Sequence, residues 1–578
     1  MQLIFSIFLV IATSVATAQS DEKPFIKLVN GTKESNKVSS ARQFVVGSTC
    51  KSCKLTINNQ PVKVYNTGAF AFELTLSPGD TSFEINAAAP SGKPIIRKIS
   101  YNYQIPKPAT AVSSFEIESI ETIPEGNLVL KAGDKISFKV KALPGSTVNI
   151  FKNIRLYEMP VGIGNSLPGI YKGEYVVQPA DSFNSIRIPV TLSKDGQTIQ
   201  KESKYQFSVM SPLASDVAVT KGRLAHLEYG LGEDRLGGAK IGYLDSAVLL
   251  KIVGKSGGDY KLQLAPSLTA YIPEDLVTLL PKGSPGPQSL TGAWSVYGDE
   301  KYDYVTVSLN AKLPYQSFQE TDPSRIIVDI YGATNNTNWI SQLQSAKEVE
   351  KVDYEQLSDE IFRVKIKLKH KQHWGHQLYY RGNTLVIKIK QQPTDLSLSK
   401  LTIAVDAGHG GSNTGAGGPT GSSEKQLALA VSLKLQRALI AEGAKVIMTR
   451  TTEKFVDNKE RILFYRDSVP DLLISVHLNS SSDPIRAGGT STHYRYVGFQ
   501  KLSELINKRM QELGLKQYGV VGSFNFMLNS PTEYPNCLVE TLFLSNPAEE
   551  AMMLDENFQE QMAQKILMGI KDFLTDIK

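Results

Sequence analysis

Two histidines and two glutamates in the last third of the chain have the types and the placement to bind a metal ion. His409 follows a strand-like apolar run, and Glu424 opens a helical pattern. His477 and Glu540 end two further apolar runs. Two imidazoles and one carboxylate form the ligand set of a catalytic zinc ion, with a fourth position open for water. A further carboxylate nearby can act as general base, so the four residues predict metal-assisted hydrolysis.

Each of these signals, taken alone, also has an ordinary structural explanation. A single histidine at a strand end is more often a hydrogen-bonded core or surface residue. A glutamate at a helix start is a common partner of the helix dipole. The glycine-rich stretch 408–418 has the composition of a phosphate-binding loop, but it lacks the G-x-x-x-x-G-K-[ST] order of a P-loop. The metal-site interpretation therefore depends on all four residues being taken together.

Alternating strand and helix patterns surround these residues. Strands are predicted at 401–405, 444–449, 472–476, from 489, and at 536–541, and helices at 424–442, 458–467, 499–513 and 557–574. This alternation predicts an α/β domain over residues 399–578 with a central mixed sheet. Either Ser422 or Ser423 could cap the first helix. Because ligands of open α/β sheets gather beyond the carboxyl ends of the strands, we expect the four side chains to converge there.

Ordered motifs across residues 400–576 resemble the zinc-dependent N-acetylmuramoyl-L-alanine amidases of the amidase_3 type. The matching segments are Asp406–Gly411, Gly415–Ala416, Glu424–Lys425, Thr449–Arg450, Ser475–Asn479, Pro535–Glu540 and Ser545–Asn546. The resemblance implies that His409, Glu424 and His477 hold Zn²⁺ and that Glu540 is the catalytic carboxylate. It also implies the substrate, bacterial peptidoglycan, and the bond, the amide between N-acetylmuramic acid and L-alanine.

Two positions depart from the pattern of that family. Asn413 stands where the family usually has Asp, and Leu478 stands where a small residue is usual. Neither is a ligand position, so we expect altered loop details and retained activity. Members with a built-in inhibitory helix carry it between the second histidine and the final glutamate, where this chain is short. Any restraint is therefore expected from the upstream domains or from a regulatory or recruiting protein partner.

Two other functions remain open from the residues. One is a zinc peptidase that cuts the stem peptides of peptidoglycan on a similar α/β core. The other is a non-catalytic scaffold that binds the cell wall and carries a degenerate amidase domain. Retention of all four site residues argues against degeneration, and released fragments would distinguish an amidase from a peptidase.

Four β-rich domains are predicted upstream, which makes the chain multidomain. Short alternating strands predict a β-sandwich-like domain at 25–105 and an immunoglobulin-like β-sandwich at 115–210. Residues 216–281 resemble bacterial SH3-like modules, and residues 293–391 resemble the AMIN domain, which commonly precedes cell-wall amidases. Pro281–Gly292 is predicted to be a linker.

Three histidines and three tryptophans fall in the AMIN-like region. The histidines at 370, 373 and 376 have the three-residue spacing of a helical metal site, but their neighbours indicate strand and turn. We therefore expect no second metal there. The tryptophans at 294, 339 and 374 are interpreted as core residues, with a sugar-stacking surface as the alternative.

Composition and the start of the chain predict an exported protein. The 578 residues, 41% of them hydrophobic, exclude wholesale disorder, and a net charge of +6 gives no reason for a nucleic-acid partner. Residues 1–18 read as a signal peptide, with an uncleaved N-terminal anchor as the alternative, and no later segment can span a membrane. Cys50 and Cys53 are expected to form a local disulfide, and Cys537 a buried thiol. Export, together with the resemblance to the amidases, implies a periplasmic or secreted, cell-wall-associated location.

Overall fold

A computed structural model describes residues 23–30, 35–91, 93–106, 110–162, 167–210, 216–232 and 236–578. The predicted signal peptide at 1–18 lies outside the described residues. Among the described residues, no helix combines the length and the apolar character needed to cross a bilayer.

The first β unit, residues 23–106, consists of two small sheets around one core. Its strands are β1 (Ile26–Leu28), β2 (Asn36–Val38), β3 (Arg42–Thr49), β4 (Lys54–Ile57), β5 (Gln60–Val62), β6 (Ala69–Thr75), β7 (Gly79–Ala88) and β8 (Ile95–Tyr103). The sheet orders are β1-β3-β6 and β2-β8-β7-β4-β5. Cys50 and Cys53 form a disulfide, as predicted, and both are buried in this core.

The second β unit, residues 110–210, has its own apolar core. Its strands are β9 (Ile117–Ile123), β10 (Leu128–Leu130), β11 (Lys135–Ala142), β12 (Thr147–Ile150), β13 (Ile154–Glu158), β14 (Ile170–Val176), β15 (Ile186–Lys194) and β16 (Gln197–Val209). Alternate residues of β11 and β15 are buried, which is the period-2 pattern that the sequence indicated.

The third β unit, residues 216–281, continues the sheet of the second. Its strands are β17 (Asp216–Thr220), β18 (His226–Glu228), β19 (Lys240–Tyr243), β20 (Leu249–Ser256), β21 (Asp259–Ala265), β22 (Leu268–Pro273) and β23 (Val277–Leu279). Strand β20 pairs antiparallel with β10, so the two units are joined edge to edge.

The fourth β unit, residues 289–390, contains two larger sheets. Its strands are β24 (Ser289–Leu290), β25 (Trp294–Gly298), β26 (Tyr302–Val307), β27 (Tyr315–Thr321), β28 (Ser324–Tyr331), β29 (Ala333–Thr334), β30 (Ile340–Gln342), β31 (Val349–Ser358), β32 (Ile361–Leu368), β33 (His376–Arg381) and β34 (Thr384–Lys390). The sheet orders are β30-β25-β26-β34-β33 and β27-β28-β32-β31. One apolar core runs through the third and fourth units. The end of the predicted linker is ordered, because β24 pairs with β29.

The C-terminal domain, residues 398–578, is an α/β domain. Its elements are β35 (Thr402–Ala407), α1 (Glu424–Ala441), β36 (Lys445–Ile447), α2 (Asn458–Ser468), β37 (Leu472–Asn479), β38 (Thr490–His493), α3 (Gln500–Gln511), β39 (Gln517–Val521), β40 (Asn536–Phe543), α4 (Pro547–Met553) and α5 (Glu556–Asp576). The sheet order is β36-β35-β37-β40-β38-β39. Strands β36, β35, β37 and β40 are parallel, and β38 runs antiparallel to β40.

This architecture confirms the predicted fold class, a β-rich N-terminal part and a C-terminal domain with a mixed sheet. Helices α1, α3 and α5 cover one face of strands β35, β37 and β40. The other face of β35 and β37 packs against α2 and the segment 526–534. Helix α1 ends where predicted, since Gly443 follows it with a positive φ of 87°. The sequence analysis missed the short strand β39 and helix α4.

The N-cap of α1 differs from the prediction. Ser423 occupies the N-cap of α1 without a side-chain cap bond, and the Ser422 hydroxyl donates instead to Glu550.

Trp294 and Trp374 are buried, as the core interpretation predicted, but Trp339 is 61% exposed. Cys537 is a buried free thiol, as predicted.

The three histidines of the AMIN-like region lie in different surroundings. His370 is exposed, and its Nδ1 lies 2.7 Å from Oε2 of Glu348. His373 and His376 are buried. Nε2 of His373 bonds the Glu320 main-chain oxygen at 2.8 Å, and Nε2 of His376 lies 2.9 Å from the Ser317 hydroxyl.

Candidate metal centre

His409 stands just beyond the carboxyl end of β35, in an unusual backbone conformation. Its φ is +59°, in the left-handed region that non-glycine residues rarely occupy. Two buried arginines hold the chain on either side of it. Arg450 donates to the main-chain oxygens of Ala407, at 2.9 Å, and Gly408, at 2.6 Å. Arg461 donates to the main-chain oxygens of Ala407 and His409. These bonds fix the strand end and support the strained residue.

Glu424 is the first residue of α1, and its carboxylate is oriented by the backbone. Its Oε2 accepts from the N–H of Ala416 at 2.7 Å, and its Oε1 accepts from the N–H of Leu478 at 3.0 Å. The Leu478 side chain is buried in the core, so this departure from the family places only a main-chain group at the site. The carboxylate is therefore held between the glycine-rich loop and the end of β37.

His477 and Glu540 come from neighbouring parallel strands. They are register partners of β37 and β40, so their side chains leave the sheet on the same face. His477 is buried, and Glu540 is half-buried in the second half of β40. The Thr541 hydroxyl donates to the main-chain oxygen of His477 at 3.0 Å. The pairing places the predicted base next to a predicted ligand.

The structure brings the three predicted ligands together. One donor atom each from His409, Glu424 and His477 lies within 4.8 Å of the others, an arrangement that could hold one metal ion. Oε1 of Glu424 lies 3.0 Å from Nε2 of His409 and 3.0 Å from Nδ1 of His477. The two imidazole rings meet edge to face with centroids 5.0 Å apart.

The donor chemistry fits a divalent ion. Nε2 of His477 is buried and has no hydrogen-bond partner within the described part of the chain. A buried polar atom without a partner is costly unless a ligand or ion occupies it. Neutral imidazoles and a carboxylate are the donors that zinc prefers in hydrolytic sites.

The charges of the three residues depend on one another. Burial alone would raise the pKa of the Glu424 carboxyl, but hydrogen bonds from His409 and His477 outweigh burial and hold the pKa well below its usual value. Burial alone would lower the pKa of His477, but its bond to Glu424 and the charges of Glu424 and Glu540 raise it. Glu424 is thus ionised, as a metal ligand must be.

Two glycines give the ligands room. A Cβ added to Gly408 would lie 2.5 Å from Cε1 of His477, and one added to Gly415 would lie 2.4 Å from Oε2 of Glu424. Gly415 also has a positive φ of 65°. The glycine-rich stretch therefore serves close packing around the ligands, since a side chain at either position would displace one of them.

Two upstream units contact the loops of this site. In the loop 522–530, the Phe526 ring lies 5.8 Å from that of His477, and the neighbouring Asn525 donates to Gly238 of the third β unit at 2.8 Å. Arg42 of the first β unit pairs at 2.5 Å with Asp483, in the loop that follows β37. The site is thus built by the C-terminal domain alone, but the first and third β units contact the loops that border it.

The sequence analysis identified the four central residues and missed their supports. Asp406 was quoted only as a motif position, although it forms a buried ion pair with Arg461 at 2.8 Å. Arg461 lies inside a predicted helix, and its type alone gives no sign that it points inward. Asn413 was expected only to alter the loop, yet its Oδ1 lies 2.9 Å from Nδ1 of His409. The sequence signal for this contact is that Asn413 lies four residues after the predicted ligand His409.

Two protein families match parts of this chain. Residues 403–572 match the Amidase_3 family, described as N-acetylmuramoyl-L-alanine amidase, and residues 295–397 match the AMIN domain. The "Probable cell wall amidase LytH" of Staphylococcus epidermidis (strain ATCC 12228) is 31% identical over 190 residues, which cover 32% of this chain and 63% of that protein. This chain therefore spans less than two thirds of that relative's length.

Longer and structural matches name the same activity. The "N-acetylmuramoyl-L-alanine amidase AmiC" of Neisseria meningitidis serogroup B is 24% identical over 368 residues, covering 48% of this chain and 88% of that protein. The catalytic domain of CwlV, an N-acetylmuramoyl-L-alanine amidase from Bacillus (Paenibacillus) polymyxa, is 31% identical with a TM-score of 0.29, covering 31% of this chain and 99% of that one. By the two family matches, this chain contains an AMIN domain at residues 295–397 and, around the four site residues, an Amidase_3 domain at residues 403–572.

Proposed function

We propose that this chain is a zinc-dependent amidase that cleaves peptidoglycan between N-acetylmuramic acid and L-alanine. His409, Glu424 and His477 would hold the zinc ion, and Glu540 would be the catalytic carboxylate. The observation that carries the proposal is the meeting of three ligand-type side chains from separate chain segments within 4.8 Å. The family match over residues 403–572 supports the choice of bond.

The residues of the site divide the chemistry between them. When bound, zinc would act as a Lewis acid on the amide carbonyl and lower the pKa of water to about 7. Glu540 takes the proton of the attacking water on its carboxylate and returns it to the departing L-alanine nitrogen. Strands β37 and β40 hold His477 and Glu540 in register. The distance between the proposed ligand, His477, and the proposed acid–base group, Glu540, is therefore fixed by the sheet.

The substrate places the protein at the cell wall, in the periplasm or outside the cell. The AMIN domain and the relatives named above support this location. Peptidoglycan is then the partner of the chain, and a protein partner that recruits or regulates it is part of the proposal. The β units upstream would bind and position the wall polymer.

Mass spectrometry of peptidoglycan digested by the full chain, with and without a chelator, tests the proposal. We expect fragments with free L-alanine amino termini, their loss with the chelator, and their return when zinc is restored. Cleavage inside the stem peptide would identify a peptidase instead. Binding to the wall without any fragment release would identify a non-catalytic scaffold. Zinc content of the pure protein, measured by elemental analysis, is the companion measurement.

A further inference from the structure

The imidazole of His409 lies between two oxygen atoms. Its Nε2 lies 3.0 Å from Oε1 of Glu424, inside the ligand cluster. Its Nδ1 lies 2.9 Å from Oδ1 of Asn413, on the outer side of the ring. A neutral imidazole carries one hydrogen, so only one of its nitrogens can donate while the other offers a lone pair.

The neighbouring backbone identifies which atom of Asn413 faces the ring. The N–H of Gly415 points at the same atom, at 3.3 Å. An N–H requires an acceptor, so this atom is the amide oxygen and not the nitrogen. An oxygen can only accept, so Nδ1 of His409 must carry the hydrogen for this contact to form. Nε2 also faces an acceptor, Oε1 of Glu424, and it is the nitrogen whose lone pair a metal ion in the cluster would take while the hydrogen stays on Nδ1.

The position of Asn413 is itself fixed by the chain. Asn413 and Gly410 exchange two backbone hydrogen bonds, each 3.0 Å long, across a tight turn. The turn directly follows His409, whose main-chain oxygen is held by Arg461. The side chain of Asn413 thus projects from a short closed loop that begins one residue after the ligand that it contacts.

We propose that Asn413 is a positioning residue that holds His409 in the Nδ1–H tautomer and aims Nε2 at the metal. The inference rests on the proposed zinc site. Partners of metal-bound histidines typically contribute 10–100-fold to metal affinity, because they fix the ring orientation and the tautomer. Asn413 supplies this contact with a neutral amide, and a carboxylate at the same position would add electrostatic attraction for the cation.

The test compares zinc dissociation constants of the full chain by competition with a chelator. We expect Asn413→Ala to weaken zinc binding by roughly 10–100-fold. Asn413→Asp keeps an acceptor oxygen at the same reach, and it should bind zinc at least as tightly as the unchanged protein. Ser412→Ala, an exposed neighbour in the same loop, is the matched control and should stay within about twofold.

A second measurement follows the Nδ1–H of the His409 ring in the zinc-loaded protein by NMR. Its exchange with solvent should be slow in the unchanged protein and in Asn413→Asp, where an oxygen accepts the bond, and several-fold faster in Asn413→Ala. Either an unchanged zinc dissociation constant or an unchanged exchange rate in Asn413→Ala overturns the inference.

The result of this test can be distinguished from the result of the test of the proposed function. A protein that binds zinc with this dependence on Asn413, but releases no L-alanine termini from peptidoglycan, would refute the amidase and keep the positioning role. A protein that binds no zinc would refute both.

Discussion

Asp406 and Arg461 form a fully buried ion pair, 2.8 Å apart, directly beneath the strand end that carries His409. Burial alone would raise the pKa of the Asp406 carboxyl, but the Arg461 charge and hydrogen bonds from Arg461 and Ser475 lower it. The same guanidinium also binds two main-chain oxygens of the segment 407–409. One pair of charges thus links α2, β35 and the first predicted ligand.

Removing Arg461 should therefore destabilise the domain strongly. In Arg461→Met the Asp406 charge is left buried and uncompensated, so we expect the free energy of unfolding in urea to fall by about 3–5 kcal/mol. Arg461→Met combined with Asp406→Asn should recover part of that loss. Arg437→Met, at an exposed site on α1, is the control and should change the value by about 0.5 kcal/mol or less. Equal losses in the single and double variants would contradict the argument.

Close packing at Gly408 predicts a metal-binding defect without global unfolding. In Gly408→Ala the new methyl group would meet the His477 ring at 2.5 Å, so the ring must move. We expect zinc affinity to fall at least tenfold while far-UV circular dichroism stays unchanged. Gly417→Ala is the matched control, because its Cβ would meet nothing within 4 Å. If both variants bind zinc alike, Gly408 has no role in placing the ligand.

The role proposed for Glu540 separates catalysis from metal binding. Glu540→Gln keeps the size of the side chain but cannot take up a proton, so kcat for cleavage of the amide before L-alanine should fall by roughly 10²–10⁴. Zinc content should stay within twofold, since Glu540 is not among the three clustered ligands. Glu504→Gln, exposed on α3, should leave both quantities unchanged. Normal turnover in Glu540→Gln would assign the proton transfer to another group.

The sequence predicted the centre of the site better than its surroundings. His409 follows a buried strand and Glu424 starts a helix. His477 and Glu540 interrupt the apolar runs of two buried strands, and all four positions are visible as local patterns. The helices α1, α2, α3 and α5 were placed within one or two residues for the same reason. Local patterns do not show which charged residues turn inward, so Arg450 and Arg461 were missed.

Contacts between distant segments of the chain could not be predicted from the sequence either. The edge pairing of β10 with β20 and the shared core of the third and fourth units join segments that each look like separate modules in the sequence. The immunoglobulin-like and SH3-like assignments stay predictions. Short strands with weak patterning, such as β39, depend on a neighbouring strand for their formation and are not encoded by periodicity alone.

The buried His376 of the fourth unit predicts a loss of stability in acid. Burial, with a smaller effect of nearby His373, lowers the pKa of the His376 imidazole to about 3. The unfolded chain takes up a proton near pH 6.5 and the folded chain does not, so stability falls as the pH drops below about 6.5. Between pH 7 and 5.5 this residue should account for a loss of about 1 kcal/mol. His376→Gln should reduce the measured loss by that amount in urea titrations, and an equal loss in both proteins would refute the assignment.

The contact between the first β unit and the loop after β37 is predicted to weaken as the salt concentration rises. Arg42 and Glu73 of that unit form a four-charge network with Asp483 and Arg486, with ion pairs of 2.5 Å between Arg42 and Asp483 and 2.9 Å between Glu73 and Arg486. Exposed pairs of this kind contribute about 0–1 kcal/mol each and weaken with salt.

Charge reversal in Arg42→Glu should therefore release the unit from the loop. We expect faster hydrogen exchange of the main-chain amides in residues 483–487, and the same change in the unaltered protein at 0.5 M salt, where the Debye length is about 4 Å. Lys98→Glu, an exposed site on β8, changes the net charge equally and should leave that exchange unaltered. Because Asp483 lies in the segment that directly follows His477, exchange that is insensitive to both Arg42→Glu and salt would show that the first unit does not rest on the loop of the metal centre.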